Sequence, residues 1–183
     1  MENIKFTKEN SERPPRIIMV WDFPTRLFHW LLVILVIISF VTGNIGGNAM
    51  QYHEWSGFTI LSLLLFRLVW GFVGSQESRF MTFVRSPYTV IRYATTLLRS
   101  DSVHYFGHNP LGGLSIIAML LSLLIQAGTG LFANDDIVTE GPLFDWVSKA
   151  TSDWLTQIHK LNQKVIIALV SIHVLAVLFY FFY

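Results

Sequence analysis

The chain has 183 residues, of which 52% are hydrophobic, 15% aromatic and 14% charged, with a formal net charge of +1 and no cysteine. Soluble domains carry about 25% charged residues, so this composition and a mean hydropathy of +0.50 point to lipid as solvent and to one membrane domain. The charge balance offers no basic field for nucleic acid. The lack of cysteine excludes disulfides, thiolate-held zinc or iron–sulfur clusters, a cysteine nucleophile and covalent haem attachment. Any cofactor is held by His, Met, carboxylates or backbone.

Residues 1–25 are polar, of mixed charge, and contain Pro14–Pro15. They lack the short apolar core and small-residue cleavage site of a secretory signal and read as a cytoplasmic arm. The remainder, 26–183, reads as an all-α, four-helix transmembrane domain. Its apolar stretches at 26–46, 53–74, 111–133 and 157–182 are each about long enough to cross a hydrocarbon core about 30 Å thick. Asp22 is placed to cap the first helix, Pro24 suits its first turn, and Gly43, Gly46 and Gly47 loosen its end.

The basic residues orient the bundle. Lys5, Lys8, Arg13, Arg16 and Arg26 precede or open the first span, and Arg79, Arg85, Arg92 and Arg99 lie in the inner loop 75–110, whereas the outer loop 134–156 has only Lys149. Basic loops stay in the cytoplasm, so both termini are expected inside. The inner loop carries an amphipathic helix after Ser86–Pro87, suited to the membrane surface or to the end of the bundle. The outer loop is acidic, with Asp135, Asp136, Glu140, Asp145 and Asp153.

Four of the six histidines, His29, His53, His159 and His173, fall within apolar spans, where an ionisable group is costly and marks function. His159 and His173 are 14 positions apart on the fourth helix, which returns them to within about 40° of one face and separates them by about 21 Å along the axis. With alternating helix directions, His29 stands at the inner level with His173, and His53 at the outer level with His159. Two facing imidazoles on a flat macrocycle make a bis-His b-type haem, held without covalent attachment. Two such haems are expected, stacked through the membrane.

Other residues fit around them. Gly43 lies 14 positions after His29, on the same face but at the outer level; Gly57 lies one turn after His53; Gly112, Gly113, Gly128 and Gly130 bracket the third helix. Glycine at such places lets a macrocycle approach, or alternatively lets helices pack closely. Arg67, 14 positions after His53, and Arg26, one turn before His29, are candidates for the inner haem propionates. Lys160 and Lys164 stand near the outer haem or simply in solvent. His104 and His108 lie in the inner loop; His108, beside Asn109 and Pro110, is the candidate for hydrogen-bonding a quinone carbonyl and relaying its proton.

The segments PTRLFHW at 24–30, RLVWGFVGS at 67–75, Arg79–Phe80, GHNPLGG at 107–113 and TGLF at 129–132, with the fourth-helix His pair, resemble the bacterial cytochrome b561 and nickel–iron hydrogenase b-type cytochrome superfamily. The resemblance runs from about residue 20 to the end. It implies a four-helix bundle in the bacterial inner membrane whose two haems, on His29, His53, His159 and His173, exchange electrons with quinone. The RLVWGFVGS and GHNPLGG segments resemble the hydrogenase-like branch, whose members serve a redox partner. The chain ends at Tyr183, so no inner tail is expected to grip a large cytoplasmic subunit. The acidic outer loop suits a basic extracytoplasmic partner such as a c-type cytochrome.

The expected function is transmembrane electron transfer between the quinone pool and that partner, with quinone oxidation or reduction the enzymatic step open to it. The alternatives are a stand-alone superoxide:quinone oxidoreductase and, from another class, a histidine-based metal transporter or a structural membrane subunit. The outer carboxylates disfavour superoxide, with Lys160 and Lys164 on the other side of that argument. A transporter calls for carboxylates beside its histidines at mid-membrane, where these spans have none.

Overall fold

The computed structural model describes residues 22–97 and 109–182. The N-terminal arm to residue 21, His104 and His108 lie outside the described residues. Among the described residues there are six α-helices: α1 (Phe23–Ile45), α2 (Met50–Val73), α3 (Phe80–Phe83), α4 (Pro87–Leu97), α5 (Pro110–Gly130) and α6 (Lys149–Phe182). Of these, α1, α2, α5 and α6 are long and apolar enough to cross a membrane, so the protein is an all-α membrane bundle. In hydrocarbon every backbone polar group must be satisfied within its own segment, which helices achieve.

The ends of the helices follow from local chemistry. Asp22 caps α1 by accepting the Thr25 amide at 2.9 Å, and Pro24 stands in the first turn, where no N–H partner is needed. Gly46 and Gly47 take φ of +68° and +54°, a region that favours glycine, and so turn the chain from α1 into α2. Asn109 caps α5 through the Gly112 amide at 2.7 Å.

α1 packs along α2, α5 packs along α6, and α2 joins the two hairpins through α5. The core lies where α1, α2 and α5 meet, around Phe28, Ile60, Leu64 and Leu120. Lateral faces of α1 and α6 expose Ile34, Ile37, Leu175 and Phe179, the surface that lipid covers. The amphipathic α4 packs on α5, burying Val90 and Tyr93 while Tyr88 and Ile91 face outward.

α6 begins at Lys149, well before the apolar stretch that starts at 157. Its additional turns carry Lys149, Ser152, Asp153 and Thr156, and they are helical because the preceding hairpin is latched onto them. Asn134 donates from its backbone to Thr156 Oγ1 at 3.0 Å and from Nδ2 to Ser152 Oγ at 2.6 Å. Ser152 Oγ in turn donates to the Phe132 carbonyl at 2.6 Å. The loop between α5 and α6, expected at 134–156, therefore ends at Ser148.

Candidate functional site

His53 comes from the first turn of α2 and His159 from about three turns into α6, and their rings meet edge to face with centroids 6.0 Å apart. Both are held from behind in the same way. His53 Nδ1 lies 2.8 Å from the Ser39 carbonyl oxygen on α1 and 3.2 Å from the Ser39 hydroxyl. His159 Nδ1 lies 2.9 Å from the Gln126 carbonyl oxygen on α5 and 3.3 Å from the Thr129 hydroxyl. A carbonyl oxygen only accepts, so Nδ1 is the protonated nitrogen of each ring, and the Nε2 lone pair is left bare for a metal.

One turn beyond each accepting carbonyl stands a glycine, Gly43 after Ser39 and Gly130 after Gln126. A Cβ on Gly43 would come within 2.7 Å of His53 Nδ1, and one on Gly130 within 3.1 Å of His159 Cε1. The two imidazoles thus lie against bare backbone on α1 and α5. At Gly57 and Gly128 a Cβ would meet nothing within 4 Å.

At the opposite end of the bundle stand His29 on α1 and His173 on α6. Both are half-buried, as are His53 and His159. The helices that carry paired histidines, α1 with α6 and α2 with α6, are not the pairs that pack closely. The His53–His159 pair, set between helices that are not closely packed and with bare Nε2 atoms, would fit a flat macrocycle held by two histidine nitrogens. Among the described residues no cluster of three or more His, Asp or Glu side chains is arranged to hold a bare metal ion.

Arg67 lies at the His29–His173 end of α2 and is 5% exposed. Its Nη2 donates to the Ser78 carbonyl at 2.9 Å, and its guanidinium sits 4.8 Å from the Phe80 ring centroid. Its Nη1 is buried with no hydrogen-bond acceptor. Asp22 shares this end: its Oδ2 accepts from Trp70 Nε1 at 2.9 Å and from Ser75 Oγ at 2.7 Å, which ties the start of α1 to the end of α2. Partial burial pushes the Asp22 carboxyl up, but hydrogen bonds from Thr25, Ser75 and Trp70 outweigh this and hold it at about 2. Arg26 is exposed on the first turn of α1.

Sequence reasoning missed a polar clasp inside the membrane. Asn162, three positions after His159 on α6, accepts from Ser122 Oγ at 2.9 Å and donates to the Ser122 carbonyl and to Gln126 Oε1, both at 2.8 Å. The available signal was a Ser, a Gln and an Asn inside spans otherwise apolar, since such side chains join helices in lipid.

The hairpin between α5 and α6 uses its own carboxylates. Asp135 Oδ1 accepts the backbone amides of Ile137, Val138 and Thr139 at 2.9, 2.9 and 2.8 Å. The Ile137, Thr139 and Val138 amides hold that carboxyl well below its ordinary range. Asp136 and Asp153 both pair with Lys149. Glu140 and Asp145 are also exposed, and among the described residues Asp135, Glu140 and Asp145 form no salt bridge in this hairpin.

The family model of the prokaryotic cytochrome b561 matches residues 20–183. Among curated relatives, a probable Ni/Fe-hydrogenase B-type cytochrome subunit of Bradyrhizobium diazoefficiens is 24% identical, covering 87% of this chain and 77% of its own length. The corresponding protein of Rhodobacter capsulatus is 26% identical over 93% of this chain and 78% of its own. A probable Ni/Fe-hydrogenase 1 B-type cytochrome subunit of Escherichia coli K12 is 27% identical over 61% of this chain and 57% of its own. No solved structure matches the chain. With four membrane-length helices among the described residues and His53 meeting His159 between two of them, the chain belongs to the prokaryotic cytochrome b561 family: it is a multi-pass b-type cytochrome of the bacterial inner membrane, a haem b protein of electron transfer.

Proposed function

We propose that the chain binds two b haems and carries electrons across the membrane between quinone at one end and a redox protein outside. The observation that supports this best is the His53–His159 pair, in which each Nδ1–H is committed to a backbone carbonyl and each Nε2 is free to ligate iron. His53 and His159 hold the outer haem, and His29 and His173 hold the inner one. Haem held between two histidines would supply one-electron chemistry, with both imidazoles favouring transfer over oxygen activation.

The chain's own residues position and balance that chemistry. Gly43 and Gly130 admit the outer imidazoles against α1 and α5, and Gly57 leaves α2 open beside them. Arg67, whose buried Nη1 has no acceptor, is the partner of an inner propionate, and Arg26 stands at the same end. His108 and Asn109 are the quinone-side residues, with Asn109 fixed as the cap of α5. The basic loops set both termini in the cytoplasm.

The outside partner is a c-type cytochrome or, following the names of the relatives, a hydrogenase-type enzyme. Asp135 and Asp136 shape the hairpin, so Glu140 and Asp145 are the charges left to meet a basic partner. The experiment is a reduced-minus-oxidised visible spectrum on the detergent-purified chain, with haem and protein quantified in the same sample. Two b haems per chain, both reoxidised by a short-chain quinone, are expected. A folded preparation with one haem or none would end the two-haem reading.

A further inference from the structure

The outer ligand His159 depends on a second layer of residues that none of the haem-facing positions includes. Its Nδ1–H is accepted by the Gln126 carbonyl, and the Gln126 side chain is held through Oε1 by Asn162 Nδ2 at 2.8 Å. Asn162 is 8% exposed, and both of its amide protons and its carbonyl oxygen are engaged on α5. His159 and Asn162 are separated by three positions, so they share one side of α6. Ser122 and Gln126, separated by four, share the side of α5 that meets it. The four residues form a ladder in which the register that satisfies Asn162 is the register that puts His159 Nδ1 at 2.9 Å from its acceptor. A rotation or slide of α6 on α5 would break both.

We propose that Asn162 and Gln126 are positioning residues for His159, and that their clasp sets the redox potential of the outer haem. This rests on the reading of His159 as an outer haem ligand. A strong Nδ1–H bond to a carbonyl makes the imidazole a better electron donor, which favours oxidised iron. Releasing the clasp weakens that bond and favours the reduced form. Ordinary polar glue between membrane helices changes stability alone, so the potential separates the two roles.

The test is a spectroscopic redox titration of the full chain and of Asn162→Leu, with the outer component assigned by its absence from His159→Ala. Wild-type protein without an outer haem would overturn the ligand reading itself. With both haems present in wild type, Asn162→Leu is expected to raise the reduced-to-oxidised ratio of the outer haem by about threefold to tenfold at fixed ambient potential, tenfold being about 59 mV for one electron. The inner component is expected to stay where it was. Gln126→Leu, which keeps the backbone carbonyl, is expected to shift the outer component in the same direction. The double variant is expected to add little to either single one, because both cut the same link. If Asn162→Leu does not fold, Gln126→Leu and Ser122→Ala decide the matter. An unchanged outer potential in folded, fully haem-loaded variants would overturn the proposal and leave the clasp as a packing contact.

Discussion

Gly43 on α1 and His53 on α2 stand so close that a Cβ on the glycine would lie 2.7 Å from the imidazole Nδ1. At that separation the ring must move, and with it the 2.8 Å bond to the Ser39 carbonyl one turn earlier on α1. Gly43→Ala is therefore expected to displace His53, the proposed outer ligand, rather than merely to crowd a helix contact, at a cost of about 1–3 kcal/mol. Haem quantification should show the outer haem lost or high-spin and the inner one retained. Gly130→Ala, where the approach to His159 is 3.1 Å, should follow the same pattern more weakly. Equal loss of both haems in Gly43→Ala would show instead that α1 and α2 had come apart.

The two histidines of α6 serve opposite ends of the bundle, so their removal should be separable. His159→Ala is expected to delete the outer haem and His173→Ala the inner one, each leaving about one haem per chain and one spectral component. Retention of both components in either variant would contradict the pairing of His53 with His159 and of His29 with His173.

Arg67 tests the opposite end. Its guanidinium donates to the Ser78 carbonyl, lies on Phe80 and keeps Nη1 buried. Arg67→Met removes the charge but leaves the Ser78 carbonyl without this donor, a penalty of about 1–3 kcal/mol. Arg67→Lys should rescue only part of this, because an ammonium lacks the planar fork. Thermal unfolding should place Lys between wild type and Met. The inner haem should fall in occupancy in the same order, and unchanged inner occupancy in Arg67→Met would remove Arg67 from the propionate role.

The spans were legible because lipid imposes a length and a composition, and the separation of His159 from His173 was legible because helical period converts spacing into a shared face. What stayed hidden depends on partners. Nothing in the order of residues shows that Ser39 and Gln126 offer carbonyls to histidines on other helices, or that the close neighbours of Gly43 and Gly130 are imidazoles. The early turns of α6 were missed because Lys149–Thr156 is polar and its helical contacts come from Asn134, distant in the chain. Asp135 read as a docking charge because its three amide donors follow from the fold of the hairpin.

Asp22 gives the cytochrome a pH dependence of definite sign. Its carboxyl is held at about 2, against an ordinary 3.8, by Thr25, Ser75 and Trp70 despite partial burial. A carboxyl lowered by folding contributes stability that is fully present above its unfolded value and is lost as pH falls through the folded one. The tie between the start of α1 and the end of α2 should therefore hold above about pH 4 and loosen as the pH approaches 2. Proteolysis or hydrogen exchange of the Asp22–Thr25 turn, followed from neutral to acid pH, should show the change. Asp22→Asn, which cannot ionise, should be weaker at neutral pH and lose this particular transition; Asp22→Ala should in addition lose about 1 kcal/mol of capping. A wild-type profile identical in shape to that of Asp22→Asn would mean that the carboxylate does not hold the two helices together.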